Sequence, residues 1–218
     1  DGSVSAVYIY LEDHRGLTIE RVIQEVKSFR NQYQTDSVKF KLATGNVGVM
    51  GATNEVVQSA QFPILLYVFG AVIGLCLLVF RSVSAALCIV IPLGFVSVLA
   101  YALMAFLGIG LKVSTLPVVA LGVGVGVDYG IYLFSRLRYF LSQEQGFPEA
   151  LFDTFHFTGS AVVFTGLTLA LGVSTWIFSP LKFQADMGIL LTFMFLFNMA
   201  GAMVLMPALA RWVVRTKT

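Results

Sequence analysis

The run Gly122-Val123-Gly124-Val125-Gly126-Val127-Asp128-Tyr129-Gly130 sets one carboxylate inside a long apolar stretch. Read as part of a membrane-spanning helix, it decides the fold class. A charge at bilayer depth costs roughly 2.5–3.5 kcal/mol even on the lenient insertion scale. An intramembrane acid that persists against that cost ordinarily has work to do, and proton relay is its commonest work.

The rest of the chain supports a membrane setting. Of its 218 residues, 57% are hydrophobic and only 12% are charged, against about 25% charged in a soluble domain. Roughly half of the charges precede residue 42, and the others sit in short gaps between apolar runs. A net charge of +2 with no basic run or aromatic-interleaved groove gives no footing for nucleic acid. Cys76 and Cys88 lie singly in apolar runs, outside any CxxC or Cys/His spacing, so no metal or cofactor is expected. The chain opens on Asp1 without a signal peptide, and we expect it to be a piece of a longer protein.

Five apolar segments follow a more polar start, each long enough to cross a hydrocarbon layer of about 30 Å. They run from about Phe62 to Phe80, Val83 to Leu107, Ser114 to Ser135, Thr158 to Phe178 and Met187 to Ala210. Before them, Val4, Ala6, Tyr8 and Tyr10 alternate as in a strand, and Val38 to Leu42 alternates again. Between these, Ile19, Val22, Ile23, Val26, Phe29 and Tyr33 form the stripe of an amphipathic helix. The spacing predicts a small β-α-β unit, the tail of a larger α+β domain over residues 1–61, with Gly45, Gly48 and Gly51 marking a loop. Residues 62–218 then form a five-helix half-bundle.

Short-loop Lys and Arg set the orientation. Arg81, Arg136, Arg138, Arg211, Arg215 and Lys217 fall on one side; Lys112 and Lys182 fall on the other. The basic side is expected in the cytoplasm, and the start of the chain outside it. Gly146-Phe147-Pro148-Glu149 opens a short helix, near 147–157, expected to lie on the inner membrane surface.

Around the acid, Gly122, Gly124, Gly126 and Gly130 are candidate helix-packing residues; Gly122, Gly126 and Gly130 recur every fourth residue and share one helix face, which suits close backbone packing. Asp128 projects from another face, with Gly124 and Tyr132 one turn to either side. Tyr132 on the same segment is a supporting polar residue, and Thr165 and Thr168 on the fourth segment and Asn198 on the fifth are candidate polar partners for it. Threonines in membrane helices also bond their own i−4 carbonyl, so that alternative stands beside the first. The five segments hold no Lys, Arg or second acid. Burial without a countercharge favours the neutral form of a carboxylate and makes it reversibly protonatable.

Gly124-Val125-Gly126-Val127-Asp128-Tyr129-Gly130, followed by Phe134-Ser135-Arg136-Leu137-Arg138, resembles the GxGxDY motif of the resistance-nodulation-division (RND) superfamily of permeases. The closest branch is that of the mycobacterial-membrane-protein-large (MMPL) and hopanoid exporters. The likeness implies the last five of twelve helices, preceded by an extracytoplasmic porter-like domain. It implies export of a hydrophobic or amphiphilic substrate from the bacterial inner membrane, driven by the proton-motive force. Asp128 matches the acid that takes up and releases the proton, and Tyr129 matches the adjacent tyrosine, which in relatives bonds the Asp of the other half. The implied partners are protons, membrane lipids, the substrate and the missing first half-bundle, whether on the same protein or on a partner chain, with a homo-oligomer also open. Two other readings stay within the superfamily, a SecD/SecF-like translocation motor and a sterol-sensing-type lipid-binding bundle. An aspartyl protease would need two carboxylates sharing a proton, and only Asp128 lies at bilayer depth.

Overall fold

The computed structural model describes residues 5, 7–10, 16–35, 38–41, 46–110 and 115–215. All regular secondary structure among them is helical. The chain divides into two units, Asp1–Ser59 and Ala60–Thr218.

In the first unit, α1 (Gly16–Tyr33) packs its apolar stripe on the opening turns of α2 (Asn46–Phe80). Ile19 is fully buried, and Gly51 admits the side chains of Ile19 and Ile23 so closely that a methyl group there would collide with Ile23. Lys27 and Glu55 pair across the two helices at 2.7 Å. Farther along the stripe, Phe29 contacts Tyr33 and Phe40, with ring centroids 4.6 and 5.4 Å apart.

Two expectations for this region are corrected. Ser5, Val7–Tyr10 and Val38–Lys41 form no strand; Val4, Ala6 and Leu42 lie outside the described residues. Val7, Tyr8, Ile9 and Tyr10 are all exposed, so the alternation in sequence separates no buried face from a wet one. A strand also needs a neighbour for its backbone groups, and these segments provide each other none. Gly48 and Gly51, read as a loop, lie inside α2, while Gly45 is outside the described residues. Gly51 serves close approach between helices, not chain reversal.

The second unit holds the membrane part. Among the described residues five helices are long and apolar enough to span a bilayer, and the protein is a multi-pass membrane protein. They are α2; α3 (Val83–Phe106); α4 (Leu116–Ser142); a composite of α5 (Phe147–Thr154), a π turn (Phe155–Gly159), α6 (Ser160–Ser174) and a 3-10 turn (Thr175–Phe178); and α7 (Lys182–Arg215). Helix α7 is central and packs against α3, α4 and α6. Leu190 and Met194 on it are wholly buried, with Val118 and Val123 of α4 and Ile89 and Leu93 of α3 in the same core. Helix α2 reaches that core through Val72, Cys76 and Phe80, spaced four apart.

The α2–α3 corner is the tightest in the unit. Arg81 takes a positive φ of 49°, and Ser82 caps α3 by accepting from the Ala85 amide. Arg138 of α4 donates from Nη1 to the Phe80 carbonyl at 2.8 Å, filling one of the acceptors that a helix end leaves open. Phe80 also meets Phe134 edge-on, with centroids 5.2 Å apart. Several helices outrun the apolar segments read from sequence: α4 continues to Ser142, and α7 begins at Lys182. Polar residues at membrane-helix ends extend the helix past the apolar stretch that signals it. Lys112, used for orientation, lies outside the described residues, as does Lys217.

Candidate functional site

Helix α4 has Pro117 in its first turn, where a missing amide costs nothing. From there it presents two unlike faces. Gly122, Gly126 and Gly130 are buried. A methyl group at Gly122 would run into Met194. At Gly126 it would fall 2.5 Å from the Asn198 amide and 2.7 Å from Leu93, and at Gly130 it would fall 2.8 Å from Ile89. These glycines let α4 sit directly on α7 and α3. Gly124, expected to pack with them, is corrected: it lies on the other face, and a methyl there would meet nothing within 4 Å.

Asp128 lies near the midpoint of α4 and is exposed on the surface of the five-helix unit, as are Gly124 and Tyr132. No hydrogen bond or ion pair to Asp128 comes from any other described residue. The next residue, Tyr129, faces the other way. It is 2% exposed, packed in a cluster with Cys88, Leu133, Val162, Ala202 and Met206. Its hydroxyl is buried without a hydrogen-bond partner among the described residues. Successive helix positions are turned by about 100°, which is how one dipeptide divides between the interior and the outer surface. In this conformation the Tyr129 hydroxyl is not presented on the face that carries Asp128.

The candidate polar partners do not converge on the acid. Thr165 donates to the Ala161 carbonyl at 2.9 Å, and Thr168 donates to Phe164 at 2.9 Å and Thr165 at 3.0 Å. Both are exposed and bonded within their own helix, the back-bonding alternative raised above. Asn198 is 3% exposed and donates from Nδ2 to the Gly122 carbonyl at 2.8 Å, joining α7 to α4 on the side away from Asp128.

Two features escaped the sequence reading. Asp186, just before the fifth apolar segment as read from Met187, lies in the second turn of α7 and is only 7% exposed; an earlier start for that segment would have placed it in a helix. Arg136, used to orient the chain and as part of the run after the glycine-rich motif, sits among Tyr139, Phe140 and Phe157. Its spacing to Tyr139 and Phe140 is visible in sequence; the approach of Phe157 is tertiary. Among the described residues no three His, Cys, Asp or Glu side chains gather as a metal site.

The arrangement is therefore a helix packed inward by glycine and presenting an acid outward, at a depth where lipid would be a poor neighbour for it. Comparison with known proteins matches residues 1–217 to the profile of the MMPL family. A membrane protein of Methanocaldococcus jannaschii is 28% identical over 77% of this chain and 43% of its own length. The Mycobacterium tuberculosis protein named "Probable transport protein MmpL9" is 26% identical over 96% of this chain and 22% of its own. The apo-petrobactin exporter of Bacillus anthracis is 25% identical over 76% of this chain and 22% of its own. The chain spans less than half the length of these curated relatives.

Proposed function

The chain belongs to the MMPL family, and on that premise we propose that it is the C-terminal half-bundle of an RND-type exporter in which Asp128 is the proton-relay acid. The observation that carries the proposal is the outward placement of Asp128 at mid-helix, beside the open space at Gly124. A carboxylate facing lipid there would be costly. A second set of helices laid over this face would remove that cost, and the mycobacterial and Bacillus anthracis relatives, several times this length, have the chain to supply one. Deprotonated, Asp128 demands water and polar partners; protonated, it tolerates an apolar neighbour. A rocking motion of one half against the other follows from that alternation. Tyr129 lines the inner side of the same turn and would join the relay only by a change of rotamer or helix rotation.

The orientation proposed has the ends of α2, α4 and α7 that carry Arg81, Arg138 and Arg211 in the cytoplasm of a bacterial inner membrane. The start of the chain then belongs to an extracytoplasmic domain. The substrate class proposed is hydrophobic or amphiphilic, to be moved across or out of that membrane.

The test is Asp128→Asn in the full-length protein, assayed for substrate efflux and for proton flux in vesicles carrying an imposed pH gradient. We expect both to stop while insertion and expression stay near those of wild type. Efflux at the wild-type rate would remove Asp128 from the mechanism, and loss of folding would give it a structural role instead.

A further inference from the structure

Arg136 lies eight residues beyond Asp128, about 12 Å along the helix axis. From the middle of a hydrocarbon layer about 30 Å thick, that sets its backbone about 3 Å short of the headgroup zone, a gap that a long Arg side chain spans. Its guanidinium carbon is 5.3, 5.1 and 5.5 Å from the ring centroids of Tyr139, Phe140 and Phe157. The rings also brace one another: Phe140 lies 5.9 Å from Phe157, and Tyr139 lies 5.4 Å from Phe140. Phe157 is delivered by the π turn between α5 and α6, with His156 edge-on to it at 5.2 Å. Such turns often occur where a helix is adapted to a ligand.

Aromatic contact satisfies the faces of a guanidinium and leaves its in-plane N–H groups unused. Here they are conspicuously unused. No carboxylate among the described residues pairs with Arg136, and its Nε is buried without a hydrogen-bond partner. Asp153, four residues before Phe157, accepts a hydrogen bond from the Gln145 amide at 3.2 Å. Arg138, two residues on, spends a donor on the Phe80 carbonyl. A planar, charged donor fork held by rings within side-chain reach of the headgroups is suited to a phosphate with two oxygens in one plane.

We propose that Arg136, framed by Tyr139, Phe140 and Phe157, binds the phosphate of an anionic phospholipid in the leaflet at that end of the helices. The exposed Arg81 and Arg138 at the same end of the bundle favour an anionic lipid over a zwitterionic one. This site is separate from Asp128 and does not depend on the transport reading.

The experiment is native mass spectrometry of the detergent-purified full-length protein, titrated with phosphatidylglycerol or phosphatidylcholine. Wild type is compared with Arg136→Gln, Arg136→Lys, Phe157→Leu and, as a control at another helix end, Arg211→Gln. The expected result is a tightest-bound phosphatidylglycerol that weakens about tenfold in Arg136→Gln, less in Arg136→Lys and Phe157→Leu, and not at all in Arg211→Gln. Equal retention by wild type and all Arg136 and Phe157 variants overturns the site. Displacement of the lipid from wild type by millimolar inorganic phosphate, or equal retention of phosphatidylcholine, overturns the anionic-lipid assignment.

Discussion

The Asn198 side chain donates from Nδ2 to the backbone carbonyl of Gly122 at 2.8 Å, a buried polar bond between α7 and α4 across 76 positions of sequence. It forms beside Gly126, where a methyl group would fall 2.5 Å from the same amide. Interhelical hydrogen bonds in membranes are worth about 0.6 kcal/mol on average and seldom exceed about 2. Asn198→Leu should therefore lower stability by about 1 kcal/mol, since Gly122 keeps its place in α4 and only the cross-link is lost. Thermal unfolding in detergent checks this. No shift at all would mean the bond contributes nothing net.

The glycines of α4 should divide sharply. Gly126→Ala places a methyl 2.5 Å from the Asn198 amide and 2.7 Å from Leu93. Overpacking of that kind costs about 1–3 kcal/mol. Gly124→Ala meets no atom of this unit within 4 Å and should leave its stability within about 0.5 kcal/mol. Melting curves of the two variants, measured side by side, decide the matter. If Gly124→Ala unfolds the protein as readily, the two-faced description of α4 is wrong.

Tyr129→Phe removes a buried hydroxyl that has no partner among the described residues. An unsatisfied buried polar group costs about 1–3 kcal/mol, so the variant should melt at the same or a higher temperature than wild type. A fall in melting temperature would show that the hydroxyl is bonded in the assembled protein. Efflux measured on the same preparation separates stability from function: loss of efflux in a more stable protein would give the hydroxyl a part in transport.

Arg138→Gln should loosen the α2–α3 corner. The variant loses a charge-assisted bond to the Phe80 carbonyl, a class worth about 1.5–3 kcal/mol. The exposed position of Arg138 puts the expected loss at the lower end of that range. Limited trypsinolysis at Arg81 would report it as faster cleavage, and an unchanged cleavage rate would count against the clamp.

Length and hydropathy made the five spans legible, because an apolar run of about twenty residues has few other uses. On α4, Gly122, Gly126 and Gly130 read as close approach because they recur every fourth residue, whereas Gly124, read as packing with them, faces open space. What stayed hidden depends on facts that do not repeat along a chain. Thr165 and Thr168 occupy positions open to either partner, and only coordinates show each bonded inside α6. Asn198 pointed toward α4 as expected but found a backbone carbonyl instead of the acid. The glycines before the first span were misread because Gly51 in contact with Ile23 looks, in sequence, like Gly51 in a loop. The alternating residues Val7–Tyr10 suggested a strand, although pairing is a property of two segments and periodicity describes only one.

The back-to-back placement of Asp128 and Tyr129 makes this stretch of chain sensitive to counting more than to chemistry. One residue added between Gly126 and Asp128 would turn everything beyond it by about 100°, dragging the carboxylate toward the greasy packing around Met206 and driving the phenol against Ile89, where Gly130 now leaves no room for a side chain. Many side chains along α4 can be exchanged for others of like size, whereas a three-nucleotide insertion there would rewire the protein's interior and exterior at a stroke.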